Sequence, residues 1–383
     1  MNQSQKLIVI TLMTPQGETG VQTHFNAIIH EAEKRGIETQ LIHPYDSSVR
    51  VARKAVGLVA KLLKILNKEW FILWTRWTHY FLIRYLLRQS LRDEEKNISI
   101  YAQDPLSARA ALAERKPFHR VVTTVHFNIS ESHEVLTKGL TVEGGPLYRH
   151  LQDNEAHTLP LVDKIIFVSA FMQGQVNARL RTIKSVPQTV LANFIEDSRE
   201  QKTESKIHGD LITIGTLEKR KNQAFILKVL ANAHSRGHRY RLTVIGDGPD
   251  RASLEQLAAE LNLGSSITFL GFQANAVQYM PGHRIYVQAS LMESFGITLI
   301  EALSHSLPIL APAVGGIPDI LVDGEQGYFW PLDNVDIAAN KLCEVLENEV
   351  LYAQLSSQAR ARFETHFSEQ ALAHSWLTAL LNA

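Results

Sequence analysis

The chain has 383 residues, 45% of them hydrophobic and 20% charged, which suits two cores of about 150–200 residues better than one. Lys plus Arg and Asp plus Glu each total 39, so the formal charge is zero and overall charge gives no argument for nucleic acid. The single cysteine, Cys343, excludes an intrachain disulfide and any multi-cysteine zinc or iron–sulfur centre. It falls in a helical-looking stretch, 340–347, where a small buried apolar side chain is the expected role.

In chain order, the apolar run after Lys6 ends at Thr11, too early for a signal-peptide core, so a cytoplasmic location is expected. A buried strand over 7–12 accounts for the run better. A loop carrying Gly17 and Gly20 follows, then a helix over 21–35 that stops at Gly36, then a strand over 39–43. Residues 50–92 are basic. Arg50, Arg53, Lys54, Lys61, Lys64, Lys68, Arg76, Arg84, Arg88 and Arg92 are set against one acid, Glu69. Lys61, Lys64 and Lys68 share one helical face and Val59, Leu62, Leu63 and Leu66 another, while Trp70, Trp74, Trp77 and Phe81 form an aromatic stripe. That pattern suits either an anionic membrane interface or helices packed on the first domain with solvated cations. Arg76 and Arg84 argue against a spanning helix.

Further strands are predicted at 98–101, 121–125 and 164–168, separated by helix-length intervals. Residues 196–210 are polar and read as a linker. The series then restarts with strands at 211–214, 241–245, 267–269, 285–288 and 308–311. Helices at 224–235, 251–261 and 297–304 lie between them, and the chain is mainly helical from 337. Alternating strands and helices imply an α/β architecture of two doubly wound, Rossmann-like parallel sheets. The expected domains are 1–195, joined by a last helix at about 368–383, and 196–367.

The segment from Glu293 to Leu303 concentrates chemistry. A strand ends, Gly296 turns the chain, and a helix opens whose first amides and dipole suit a diphosphate. Glu293 can accept from sugar hydroxyls, and Glu301, over one turn beyond Gly296, is placed to reach a ribose. The turn at Gly215-Thr216-Leu217-Glu218-Lys219-Arg220-Lys221-Asn222 carries three consecutive cations able to neutralise a leaving diphosphate. Gly246-Asp247-Gly248-Pro249 and Gly315-Gly316-Ile317-Pro318-Asp319 are further strand-to-helix turns.

These four motifs, in this order and spacing, resemble the nucleotide-sugar domain of family 4 of the retaining glycosyltransferases, which have the GT-B fold of two domains facing a cleft. The resemblance extends less sharply over the N-terminal half. It implies that Glu293 contacts the donor sugar and Glu301 the ribose, and that amides around Phe295, Gly296 and Ile297 meet sugar and phosphate. It further implies that Arg220 and Lys221 hold the diphosphate beside the turns at Thr216 and Gly246. In the first half, Gly20 belongs to a run similar to the family's glycine-rich loop, and His126 matches the family's histidine beside the donor sugar. A strand-end histidine is otherwise a structural hydrogen-bonder. Thr216 stands where many members have arginine, Thr19 for a common glycine, Asp319 for a common glutamate, and Phe194 for the glycine usual after Asn193.

No Asp-x-Asp run or metal-ligand spacing occurs in the sequence. The expected reaction is therefore metal-independent hexosyl transfer from a nucleoside-diphosphate sugar, with UDP favoured over GDP and no cofactor. The resemblance implies retention at the anomeric carbon, on a saccharide or lipid-linked acceptor in surface polysaccharide or glycoconjugate synthesis. An epimerase of the same fold and a non-catalytic donor-binding subunit are the alternatives.

Overall fold

The computed structural model describes residues 6–15, 17, 20–92, 97–197 and 207–382. Gln16, Glu18 and Thr19 of the first loop, and most of the anticipated linker, lie outside them. The chain divides into two compact units, Met1–Ala192 with Leu372–Ala383, and Asn193–Ala371. These borders fall a few residues from those expected at 195 and 367.

In the first unit the strands are β1 (Lys6–Ile10), β2 (Glu38–Ile42), β3 (Ile98–Ala102), β4 (Arg120–Val125), β5 (Lys164–Phe167) and β6 (Gln188–Val190). They form one parallel sheet in the order β2-β1-β3-β4-β5-β6. All five residues of β1 and of β3 are buried, as befits strands covered by helices on both faces. The covering helices include α1 (Gly20–Lys34), the long pair α2 (Arg50–Leu66) and α3 (Lys68–Leu91), and α4 (Pro105–Glu114). α5 (Glu131–Thr137), α6 (Pro146–Thr158) and α7 (Ala170–Arg179) follow. Four of the starts carry ordinary side-chain caps: Asn67, Asp104, Ser130 and Ser169 each accept a first-turn N–H. The chain end returns to this unit, where Trp376 Nε1 donates to Ala192 O at 2.7 Å and Ser99 Oγ to Leu380 O at 2.6 Å.

In the second unit β7 (Leu211–Ile214), β8 (Leu242–Ile245), β9 (Ile267–Gly271), β10 (Ile285–Val287), β11 (Ile309–Ala311) and β12 (Gly327–Phe329) form a parallel sheet. Its order is β12-β11-β10-β7-β8-β9. The helices are α8 (Gln223–Ser235), α9 (Arg251–Glu260), α10 (Ile297–Ser304), the short α11 (Ile317–Ile320), α12 (Val335–Glu347) and α13 (Glu349–His366), while α14 (Glu369–Leu381) starts here and belongs to the first unit from Leu372 on. The core gathers Leu211, Phe225, Leu230, Val244, Val287, Trp330 and Leu342, with Cys343 on α12 packed against it but only partly buried, and its thiol beside Tyr240. Strand order reverses between β7 and β10. Open parallel sheets hold ligands outside the carboxyl ends of such a pair of strands.

Candidate active site

The two strands at the reversal point deliver the residues singled out by sequence. β7 runs into Gly215, at φ +155°, and Gly215 N donates to Ile245 O at 2.9 Å. From β8 comes Gly246, at φ +134°, so close to Gly215 that a Cβ would overlap the Gly215 carbonyl oxygen. Only glycine allows these two turns to cross so closely. Beyond them the turn is pinned: Leu217 N donates to Asp247 O at 3.1 Å and Gln223 Nε2 to Thr216 O at 3.0 Å. Thr216 itself is exposed.

β10 leads through Gln288 to Glu293. The Glu293 carboxylate is buried, and Lys221 Nζ donates to its Oε2 at 2.6 Å while Gln288 Nε2 donates to the same oxygen at 3.1 Å. Burial alone would push this carboxyl upward. The Lys221 ammonium and its hydrogen bond, with Arg220 nearby, outweigh that and hold it below the ordinary glutamate range. Arg220 is fastened too. It donates to Glu218 Oε1 through Nε at 3.1 Å and Nη2 at 2.8 Å, and to Met292 O through Nη1 at 3.1 Å. Its own carbonyl accepts from Leu291 N at 2.8 Å, so the basic turn and the Glu293 turn form one unit.

The backbone of Glu293 is gripped from behind. Gly316 N donates to Glu293 O at 3.0 Å, and Gly315, at φ +58°, passes so near that a Cβ would overlap that oxygen. This is the physical role of the Gly-Gly-Ile-Pro-Asp run. Gly296, at φ +103°, then starts α10 without a side-chain cap. Leu299 N donates to Gly296 O at 3.0 Å, and no side chain caps this positive end of the helix. Phe295 is buried, its ring packed against Phe367 at a centroid distance of 6.3 Å. Ile297 and Glu301 are half-buried on the same helix start. Arg220, Lys221, Thr216, Gly246, Glu293, Phe295, Gly296, Ile297 and Glu301 therefore belong to one end of one sheet.

Gly20 and His126 belong to the first unit. Gly20 begins α1, and Gln22, within its first turn, donates Nε2 to Thr14 O at 2.8 Å and Thr14 Oγ1 at 3.1 Å, folding the first loop onto the helix. His126 follows β4, and its Nε2 contacts Gln103 Oε1 at 3.1 Å. Burial brings the His126 imidazole down to about 4, so it is neutral at physiological pH. Beside it lies buried His24, with ring centroids 5.8 Å apart, and His24 Nε2 reaches Tyr101 Oη at 2.9 Å. Gln288, Gln103 and His24 were not anticipated from sequence. The signal available was a polar residue closing, or packed under, an apolar strand.

The basic helices divide into two populations. On α3, Arg76 pairs with Glu131 at 2.9 Å, and Arg84 and Arg88 share Glu114 at 2.6 and 2.8 Å. The sequence tally of ten cations against one acid thus overstates the basic face, because partners for these three come from α4 and α5. On α2, Arg50, Lys54, Lys61 and Lys64 are exposed, as is Lys68 at the start of α3. The apolar arc of α2 also faces solvent: Val51 is 82% and Ile65 83% exposed, and Leu62 and Leu66 are exposed as well. Trp70, Trp74, Trp77, Phe81 and Tyr85 are exposed along one stripe of α3. No helix among the described residues is long and apolar enough to cross a membrane.

The sequence pattern of the family described as Glycosyl transferases group 1 matches residues 194–362, and that described as Glycosyltransferase Family 4 matches residues 19–199. The chain belongs to the family 4, group 1 glycosyltransferases. Among curated relatives, N-acetyl-alpha-D-glucosaminyl L-malate synthase of Bacillus anthracis is 28% identical over a stretch covering 36% of each chain. A second is N-acetylgalactosamine-N,N'-diacetylbacillosaminyl-diphospho-undecaprenol 4-alpha-N-acetylgalactosaminyltransferase of Campylobacter jejuni. It is 28% identical over 40% of this glycosyltransferase and 41% of the relative. The matched stretches thus span less than half the length of either relative. Among solved structures, Anabaena Alr3699/HepE in complex with UDP and glucose superposes with a TM-score of 0.67. It is 16% identical and covers 98% of this chain and 100% of that one. Two six-stranded parallel sheets flanked by helices, shared with such structures, are the GT-B fold.

Proposed function

We propose that this glycosyltransferase moves a hexose-type sugar from a nucleoside-diphosphate sugar, UDP-linked in preference to GDP-linked, to a saccharide or lipid-linked acceptor in glycan synthesis. The observation that carries the reading is Glu293. It is a buried, ionised carboxylate held by Lys221 directly ahead of the uncapped start of α10. An anionic acceptor of hydroxyl hydrogen bonds beside an anion-binding helix end suits a sugar joined to a diphosphate. The UDP bound by the Anabaena neighbour and the lipid-linked substrate named for the Campylobacter relative support the same class.

Charge developing on the departing diphosphate would be stabilised by Lys221, Arg220 and the α10 amides, a role that a metal ion fills elsewhere. No group of three or more His, Cys, Asp or Glu among the described residues is arranged as a metal site. We read transfer as metal-independent and retaining. The acceptor oxygen bonds to C1 on the face from which the C1–O phosphate bond breaks, and its proton passes to the leaving diphosphate. The test is acceptor-dependent release of UDP or GDP in the presence of EDTA, with the anomeric configuration of the product read by NMR. Activity restored only by Mg²⁺ or Mn²⁺, or an inverted linkage, overturns the respective part. Conversion of the donor sugar without any acceptor would favour an epimerase instead.

The exposed apolar arc of α2, its flanking lysines and the aromatic stripe of α3 support peripheral contact with the cytoplasmic face of a membrane. That would bring the enzyme to a lipid-linked acceptor.

A further inference from the structure

In the first unit, strand order reverses between β1 and β3, which makes the carboxyl ends of these strands its ligand-holding edge. Gln103 is the first residue beyond β3. It is 3% exposed, and its backbone N–H is anchored on Ile10 O of β1 at 2.9 Å. His126 is the first residue beyond the neighbouring strand β4, and its Nε2 meets Gln103 Oε1 at 3.1 Å. An amide oxygen only accepts, so this contact needs the imidazole proton on Nε2 and leaves Nδ1 bare. The Gln103 amide nitrogen is buried without a well-formed hydrogen bond of its own, the Tyr101 hydroxyl being the group it interacts with.

The surroundings fix both rings. His24 of α1 stands edge-on to His126, and its Nε2 contacts Tyr101 Oη, which in turn contacts Thr124 Oγ1 at 2.8 Å. Trp376 lies on His24 with ring centroids 4.4 Å apart. The titratable groups facing His126 are thus His24 on α1, with Tyr101 on β3 behind it. Burial pushes the Tyr101 hydroxyl up and His24 well down, so both are uncharged at neutral pH.

We propose that Gln103 is a positioning residue that holds His126 in the neutral Nε2–H tautomer, so that Nδ1 accepts a hydrogen bond from a substrate hydroxyl. The proposal rests on the reading of His126 as a reaction-centre residue. A fixed tautomer matters because a ring with its proton on Nδ1 would present a donor where the reaction needs an acceptor.

The test is ¹⁵N-imidazole NMR of the full-length protein, with the His126 resonances identified by their loss in His126→Gln. The wild type is expected to carry its proton on Nε2. Gln103→Leu should mix the tautomers and lower kcat about tenfold or more, with the donor KM within about twofold. Gln103→Glu, whose carboxylate accepts the same proton, should keep the tautomer, raise the His126 titration toward neutrality and make kcat pH-dependent there. A wild-type ring protonated on Nδ1 overturns the proposal, as does an unchanged tautomer in Gln103→Leu. A tautomer shift with unchanged kcat would leave the hydrogen bond standing, strike the reading of His126 as a reaction-centre residue, and with it the service of Gln103 to catalysis.

Discussion

Lys221 Nζ lies 2.6 Å from Glu293 Oε2, tying the turn after β7 to the turn after β10 at the point where the sheet reverses. The two side chains are only 17% and 11% exposed, so each charge depends on the other. Lys221→Met strands a buried carboxylate and is expected to cost about 3 kcal/mol in urea unfolding. Glu293→Gln keeps the shape and the hydrogen bond from Gln288, and should cost less. Both variants are expected to lose sugar transfer, Glu293→Gln with the smaller loss of stability because the Lys221 ammonium it strands is the more exposed of the pair.

The same pair sets the acid limb of the stability curve. The folded Glu293 carboxyl sits below its unfolded value, so its ionisation contributes stability above about pH 4.3 that is lost as pH falls through the folded value. His126 acts at higher pH. Its imidazole falls from an ordinary 6.5 to about 4, so the unfolded chain takes up the proton first and stability drops as pH goes from 6.5 toward 4. Urea midpoints against pH should show a shallower fall between 6.5 and 4 for His126→Gln, and a shallower fall below pH 4.3 for Glu293→Gln, the range given by the ordinary glutamate value of about 4.3.

Gly315 offers a purely steric test. Its φ of +58° disfavours a side chain, and a Cβ there overlaps the Glu293 carbonyl oxygen. Gly315→Ala should therefore cost more than the about 1 kcal/mol of left-handed strain alone and displace Glu293. The expected signature is lower Tm together with a raised donor KM. A Gly237→Ala control, at φ +98° with no atom within 4 Å of the added Cβ, should show the strain alone.

The surface of α2 can be separated from that of α3. Replacing Lys54, Lys61 and Lys64 with Gln removes about 1 kcal/mol of membrane attraction per charge. Partition onto anionic vesicles should fall about a hundredfold while Tm is unchanged. Replacing Arg84 and Arg88, which serve Glu114, should instead lower Tm and barely change partition. Equal partition of the lysine variant and the wild type would defeat the membrane reading.

Strands buried on both faces were readable because their apolar runs stand between turn residues, as at 98–101 and 211–214. The edge strands β6 and β12 were not. Each has three residues, and Gln188-Thr189-Val190 and Gly327-Tyr328-Phe329 carry no alternation to detect. The donor-side residues were legible because each sits in its own local turn motif. Gln288, Gln103 and the acids that pair with α3 were not, since their meaning arises only when distant segments meet, as Arg76 does with Glu131 across 55 residues. A charge tally along one segment cannot see such partners.

Calorimetric titration of UDP and GDP into the full chain tests the central claim most directly. Saturable binding of at least one, weakened about tenfold or more in Lys221→Met, is the expected result. Failure of both nucleotides and their sugars to bind at millimolar concentration, or equal binding by the wild type and Lys221→Met, would contradict it.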